Sequence, residues 1–378
     1  MIRKQFRLLI ICLCSILLTG CWDYEDINDK CIVISLGVDY FKDNIEFSGE
    51  IVKLTSSTDN DFENAQGDGV YRLLSYGKTF EEARLHYDAI NPFPVFLGST
   101  RVVVFGKRYA EKGIEPYLNR IDHIYNYRKT LLTVVCRESP KEMFSLKQKK
   151  DISVGYLIED ILNHLAKKGG ALNPNVGEIL SDIAFGNIGY LLPYVGVEKG
   201  TIKYLGYAVM KDSKLIGIID LENTDGILYV LSEKPTSIEV IQDLNDEKKT
   251  FSFRTFTNKR KINVDYLDKR LNISIDMDLS AQLRYQYYTG KVNGRDIKEL
   301  ENMLSDQVKK DIVSNVERAQ KEFQCDIFGF ARYFRAEDPK TFQKIDWENE
   351  FINANVNVTV NTKIINRSFT DPNAEKKY

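Results

Sequence analysis

The residue with the most specific chemistry is Cys21, which directly follows the small residues Thr19 and Gly20. A short basic start precedes an uncharged, apolar run over residues 8–18. Such a run matches the core of a secretory signal peptide and is well short of the ~20 residues that a membrane-spanning helix needs. The segment Leu18-Thr19-Gly20-Cys21 therefore predicts bacterial lipoprotein processing, in which the Cys21 thiol is diacylated and the chain is cut before it.

This interpretation divides the start of the chain into residues 1–20, a lipoprotein signal peptide, and residues 21–30, a lipidated tether. Two acyl chains at ~0.8 kcal/mol per buried methylene would hold the mature protein stably at the outer face of a membrane. The alternative is an ordinary cleaved signal peptide in which Cys21 has no role.

Side chains that could support catalysis are present but do not form a recognisable set. None of His86, His123 and His164 has a second ligand at a metal-binding spacing, and no nucleophile elbow or phosphate-binding loop occurs. Asp276 and Asp278 lie on the polar face of an alternating strand, which indicates a solvated surface rather than an acid–base pair. We therefore predict no enzymatic activity, no cofactor and no metal.

Two groups of tyrosines have two possible interpretations. They are Tyr125 and Tyr127, and Tyr285, Tyr287 and Tyr288. They could line a sugar or amino-acid pocket, or they could pack along strands and at their rims, which is the more common outcome.

Composition excludes several classes of protein. The 378 residues are 43% hydrophobic and 28% charged with a formal net charge of −2, typical of a folded globular protein. No strongly basic block is present, so nucleic acid is not an expected partner. Beyond Cys21 the mature chain has only Cys31, Cys136 and Cys325, which predicts buried free thiols rather than a disulfide framework.

The chain between residues 31 and 200 alternates strands with helices. The run 31–39 has the composition of a strand covered on both faces, and 56–69 is a polar loop. Further strands are predicted at 45–54, 71–76, 100–105 and 130–136, and helices at 79–90, 107–118, 154–167 and 176–185. This order predicts an N-terminal sheet with flanking helices.

The second part, residues 201–370, begins with a hairpin and then has longer strands, with alternating apolar residues at 271–279 and 354–360. Between these strands, a helix is predicted over 296–324. Its apolar residues recur every 3.7 positions or so and form one stripe, consisting of Ile297, Leu300, Leu304, Val308, Ile312, Val316, Ala319 and Phe323. The expected fold is α+β and multi-domain, with a C-terminal antiparallel sheet packed by one long helix.

A short turn, Asp326-Ile327-Phe328-Gly329-Phe330, follows the long helix. Gly329 permits a sharp exit from the helix, and the three apolar residues are expected to bury against the sheet. The turn is either a structural junction, which we favour, or a site for a partner.

Several segments together resemble the Ger(x)C family, the lipoprotein C subunits of spore germinant receptors in endospore-forming Firmicutes. The segments are the lipobox running into Gly20-Cys21-Trp22-Asp23, the strand Arg101-Val-Val-Val-Phe-Gly106, and Cys325-Asp326-Ile327-Phe328-Gly329-Phe330 followed by Pro339, Trp347 and the closing strand. One departure is the final turn, where Asn366-Arg367-Ser368 replaces the family's basic–Thr–Gly sequence.

The resemblance implies a non-enzymatic subunit anchored by lipid at the spore inner membrane, acting with polytopic A and transporter-like B subunits in the response to nutrients. Residues 31–200 and 201–370 would be its N- and C-terminal germination-protein domains. Two alternatives stay open: a free-standing ligand-binding lipoprotein of a transport system, which needs a cleft between two similar lobes, and a surface hydrolase.

Overall fold

We describe the chain from a computed structural model that covers residues 26–52, 70–124, 126–146, 153–242, 250–287 and 294–366, together with the isolated residue Gln5. The predicted signal peptide 1–20, the tether up to residue 25 and the predicted loop 56–69 lie outside these ranges. Tyr125, Tyr288 and Ser368 also lie outside them.

The described residues form strands and helices in an alternating order over the first two hundred residues and in separate blocks afterwards. The strands are β1 (Cys31–Phe41), β2 (Asn44–Val52), β3 (Val70–Gly77), β4 (Val95–Phe96), β5 (Val102–Gly106), β6 (Leu132–Cys136), β7 (Tyr190–Glu198), β8 (Thr201–Lys211), β9 (Lys214–Asp220), β10 (Thr236–Gln242), β11 (Thr250–Leu267), β12 (Arg270–Gln286) and β13 (Asn355–Asn366). The helices are α1 (Phe80–Asp88), α2 (Lys107–Lys112), α3 (Glu115–His123), α4 (Pro140–Phe144), α5 (Val154–Lys167), α6 (Val176–Phe185), α7 (Asp225–Leu231), α8 (Gly294–Lys321), α9 (Phe330–Glu337), α10 (Pro339–Phe342) and α11 (Trp347–Ile352).

The first sheet has a parallel centre and antiparallel edges. Its described strands run in the order β3-β2-β1-β5-β6-β7-β8-β9, with β4 paired to β1. The pairs β1–β5, β5–β6 and β6–β7 are parallel, whereas the hairpins at both ends are antiparallel. Parallel strands are normally covered on both faces, and the apolar run predicted at 31–39 is accordingly buried along most of its length.

Helices cover both faces of this sheet. Alternate residues of β5 point to opposite sides, so Val102 and Val104 pack with α4 and α5, while Val103 and Phe105 pack with α1, α2, α3 and α6. The predicted helices at 154–167 and 176–185 are confirmed as α5 and α6. Their starts are set by the side chains of Ser153 and of Asn175, which accept backbone N–H bonds.

The prediction of a single helix over 107–118 is wrong, because the chain forms two helices there, α2 and α3. Gly113 has φ of 126°, which an α-helix cannot contain, and α3 restarts at Glu115 with Pro116 in its first turn. The apolar periodicity continues across the break, which is why the pattern alone does not show it.

The second sheet has the order β10-β11-β12-β13 in the described residues, with one face against α8. Its first two pairs are antiparallel as predicted, but β13 is parallel to β12. The physical reason is that the chain leaves the far end of β12, crosses back through α8 to α11, and re-enters the sheet beside the start of β12, so that β13 runs in the same direction.

The long helix α8 spans Gly294–Lys321, slightly earlier than the predicted 296–324. It ends early because Gln324 takes a left-handed conformation with φ of 48° and turns the chain. Seven residues of the predicted stripe are buried, at 0–6% exposure, and Ile297 is partly buried, so the predicted packing face is confirmed.

The core does not stop at the edge of either sheet. One cluster of buried residues contains β5 and β6 of the first sheet, β11 and β12 of the second sheet, and the middle of α8. The predicted domain boundary at 200/201 falls in the β7–β8 hairpin, both of whose strands belong to the first sheet, and the chain changes sheets after Asp220. The division into domains at residue 200 stays a prediction, whereas the α+β class with two sheets is confirmed.

Candidate functional site

The predicted lipidation site, Cys21 with Leu18, Thr19 and Gly20, lies outside the described residues and stays a prediction. The described chain runs from Asp26 through a short 3₁₀ turn directly into β1. The tether would thus enter the fold at the start of a buried central strand.

The turn predicted at Asp326–Phe330 is a buried junction between α8 and α9. The Asp326 carboxylate accepts hydrogen bonds from the backbone N–H groups of Phe328, at 3.1 Å, and Ala331, at 2.9 Å. Gly329 has φ of 69°, as its predicted role requires, and precedes the first residue of α9. Asp326 therefore caps α9 from inside the protein, a role that the sequence reasoning did not assign.

Burial raises the pKa of Asp326 to about 6, although the backbone N–H groups around it lower the pKa and offset part of this effect. Ile327, Phe328 and Phe330 are also buried, and the two phenylalanine rings stack with centroids 5.3 Å apart. These side chains face the core, which favours the structural interpretation of the turn over a partner-binding site.

The turn also contacts the first sheet. The Asp326 carbonyl accepts a hydrogen bond from the N–H of Gly189, directly before β7, at 3.0 Å. Nearby, the Lys211 ammonium of β8 donates to the Glu348 carboxylate at 2.8 Å and to the Gln324 carbonyl at 3.2 Å. These hydrogen bonds hold the first sheet against the end of α8 and against α11.

A cavity of about 540 Å³ opens on the other face of the first sheet, between α1, α3 and strands β1 to β4. Its apolar wall includes Val33, Leu36, Phe47, Leu73 and Val95. Volume and lining are typical of small-molecule sites in proteins.

Two hydroxyl groups in this wall lack strong partners. Among the described residues, Ser75 Oγ and Tyr87 Oη are buried and have no nitrogen or oxygen hydrogen-bond partner, and the Cys31 thiol lies beside Tyr87. A second pair, Tyr117 and Tyr127, is satisfied internally, since the two hydroxyl oxygens are 2.7 Å apart.

The rim of the cavity carries charges of both signs that pair with each other. Arg120 forms an ion pair with Glu81, and Arg84 lies 3.1 Å from Glu81 and 3.9 Å from Asp88. The Arg120 partner lowers the pKa of Glu81, so this carboxyl group is ionised at neutral pH.

Sequence reasoning did not find this cavity, because its wall is assembled from segments spread between residues 33 and 127. The only available signal was the tyrosine pair that includes Tyr127, for which a pocket was one of two interpretations. Tyr127 does line the cavity, whereas Tyr285 and Tyr287 are 60% exposed on the second sheet with rings 4.8 Å apart.

The other candidate residues are placed separately. His86, His123 and His164 are all exposed, and the first two have Nδ1 at 2.6 and 2.7 Å from backbone carbonyl oxygens. Asp276 and Asp278 are exposed on β12. Within the described ranges, no group of three His, Cys, Asp or Glu side chains could hold a metal ion.

The three predicted thiols, Cys31, Cys136 and Cys325, are buried and free, as expected. Burial raises the pKa of Cys136 well above its ordinary value and that of Cys325 to about 12, so neither is a ready nucleophile. In the part of the chain that is described, no helix is both long and apolar enough to span a membrane.

Comparison with known families accounts for nearly all of the chain. Residues 23–197 match the model for the spore germination protein N-terminal domain, and residues 205–368 match the model described as spore germination B3/GerAC like, C-terminal. The chain belongs to the GerAC family of spore germination proteins. Members of this GerAC family with similar sequences include spore germination protein A3 of Bacillus subtilis (strain 168), which is 24% identical over 388 residues covering 98% of this chain and 100% of the relative.

Spore germination protein B3 of the same organism is 21% identical over 370 residues, which cover 96% of both chains. The crystal structure of the GerBC protein superposes with a TM-score of 0.59 at 17% sequence identity, covering 88% of this chain and 97% of that one. The GerAC-family chain therefore shares the GerBC fold through both of its sheets.

Proposed function

We propose that this GerAC-family chain is a lipid-anchored, non-enzymatic subunit of a spore nutrient-germinant receptor, acting with membrane-embedded A and B subunits. The observation that carries the proposal is the full-length match to germination proteins, in both halves and in order. The lipobox ending at Cys21 adds the means of attachment to the outer face of the spore inner membrane.

The placement of the reactive side chains supports a role without catalysis. The histidines are exposed on separate helices, the thiols are buried, and the paired acids of β12 face solvent. The residues of the family-like turn form a buried junction between α8 and α9, and Asp326 also contacts the chain next to the first sheet. Such a molecule presents a rigid surface to partners rather than an assembled reaction centre.

The first prediction concerns the lipid. Cys21→Ala removes the only thiol that follows the small pair Thr19-Gly20, so the protein is expected to lose incorporated fatty acid and leave the membrane fraction. Nutrient-triggered germination of the spores should fall with it. The measurements are labelling with an alkyne fatty acid, membrane fractionation, and loss of optical density after nutrient addition.

Cys14→Ser is the matched control, because Cys14 lies in the same signal segment but is not preceded by a small pair. This variant should remain labelled and active. Normal germination by unlabelled Cys21→Ala protein, at normal abundance, would contradict the need for the anchor. Receptor membership is tested separately, by purifying the tagged protein from spore membranes; recovery without polytopic partners would count against it.

A further inference from the structure

We propose that the cavity bounded by α1, α3 and β1 to β4 binds an uncharged, mainly apolar small molecule. This proposal concerns a site in the first sheet and does not depend on the lipid anchor or on receptor membership.

The size and shape of the space are the first support. About 540 Å³ lies within the range of roughly 300–1,000 Å³ that ligand sites usually occupy. Protein interiors are otherwise packed as densely as organic crystals, so an opening of this size beside a buried sheet is not ordinary packing. Its wall is built mainly by strands and helices.

The composition of the wall is the second support. Most lining residues from the strands are aliphatic or aromatic. Ser75 and Tyr87 also line the cavity, but their hydroxyl oxygens have almost no accessible surface. A ligand inside would therefore meet a mainly apolar wall.

The ion pairs at the rim of the cavity indicate that its ligand is uncharged. Glu81, Arg84, Asp88 and Arg120 pair among themselves, two acids with two bases. A charged ligand group would have to enter an apolar wall without a free counter-ion, which is costly. An uncharged molecule meets no such penalty, and the rim excludes ions rather than attracting them.

The test uses N-phenyl-1-naphthylamine, an uncharged apolar probe that fluoresces when it leaves water. It is added to the full chain carrying Cys21→Ala, so that no attached acyl chain can fill the cavity. We expect saturable binding of one probe per chain, with a dissociation constant on the order of 10 µM for a ligand of this size. 1-Decanol should displace the probe, and decanoate, its charged counterpart, should not.

Two variants locate the site. Val95→Trp and Leu97→Trp, both at half-buried lining positions, place an indole in the space and should each weaken probe binding by about tenfold or more, because filled volume cannot admit a ligand. Val197→Trp is the matched control, since Val197 is equally half-buried but lies on β7 away from the cavity. It should bind the probe as the parent chain does.

Absence of saturable binding, or binding that both tryptophan variants leave intact, overturns the proposal; equal displacement by decanoate overturns its charge selectivity.

Discussion

Asp326 is a buried residue that caps α9 and also contacts the chain next to the first sheet. Its carboxylate is enclosed by the start of α9 and accepts that helix's backbone N–H groups, while its own carbonyl receives Gly189 N–H from the first sheet. The cost of placing a charge there is visible in its pKa, which burial raises to about 6 from an ordinary 3.8.

The raised pKa predicts how stability depends on pH. The folded protein binds the Asp326 proton more tightly than the unfolded chain does. Protonation of Asp326 therefore contributes to the free energy of unfolding fully below about pH 3.8, and this contribution is lost as the pH rises through about 6. Relative to Asp326→Asn, the parent chain should therefore gain about 1 kcal/mol in the free energy of unfolding between pH 7 and pH 5. Urea unfolding of both proteins at the two pH values measures this difference.

Asp338→Asn provides a control with the opposite sign. Asp338 is partly buried and caps α10 by accepting Thr341 N–H at 3.0 Å, and hydrogen bonds from Thr341 lower its pKa. The parent chain should lose stability relative to this variant as the pH falls through that lowered pKa. Identical pH profiles for the two variants would show that Asp326 is not the buried acid described here.

The sequence alone predicted the burial of Ile327, Phe328 and Phe330 and the conformation of Gly329, because apolar side chains and glycine have strong local preferences. It did not predict that Asp326 is buried. An aspartate after a helix is usually exposed, and only the arrangement of α9 around it provides the backbone donors that make burial tolerable.

At the scale of elements, α7 approaches α8 closely in the second half of the chain. Gly226 of α7 lies against the Asp311 carbonyl of α8, and a Cβ atom at Gly226 would overlap that backbone oxygen. Because neither backbone can yield like a flexible side chain, the glycine sets the distance between the two helices.

Gly226→Ala should lower the free energy of unfolding by roughly 1–3 kcal/mol, the usual cost of overpacking a well-filled contact. Gly170→Ala is the control: the nearest atoms to its added Cβ are at 3.7 Å or more, so its effect should stay within about 1 kcal/mol in either direction. Urea denaturation gives both values. A Gly226→Ala protein as stable as the control would mean that the helices can separate freely.

Elements with a long, regular apolar pattern were predictable, and short ones were not. α5, α6 and α8 follow from periodicity and capping residues. By contrast α7, α9, α10 and α11 have four to eight residues each, too few for a period to be distinguished from chance. The direction of β13 also escaped prediction, since alternation shows that a segment is a strand but not which way it runs.

For the whole molecule, the important feature is that one buried cluster belongs to both sheets. Val104 and Val134 of the first sheet, Ile273 and Ile275 of the second, and Val316 of α8 are members of it. Hydrogen bonds from Lys211 and Gly189 add polar connections across the same junction. Neither sheet can lose its packing without exposing apolar surface of the other.

Both sheets should therefore unfold together. In native-state hydrogen exchange, amides of β6 and of β12 are expected to open with the same free energy, equal to that of global unfolding. Mass spectrometry of peptides from the two strands, across a series of urea concentrations, measures both. A lower opening free energy for one strand would reveal two units that unfold independently.

The cavity shows the limit of prediction at this scale. Val33, Phe47, Ser75 and Tyr87 lie on different strands and helices, and no local pattern relates them. Their proximity depends on the crossing of α1 and α3 over the sheet, which becomes defined only when the whole first sheet has formed.

Because β13 joins β12 late in the chain, a ribosome must synthesise about nineteen-twentieths of the polypeptide before this pairing can form. Until then the edge of β12 in the nascent polypeptide is unpaired, and part of the apolar face of α8 is not covered. A stop codon arising just upstream of Asn355 would therefore be as damaging as one in the middle of the gene, although it removes only β13 and the residues after it.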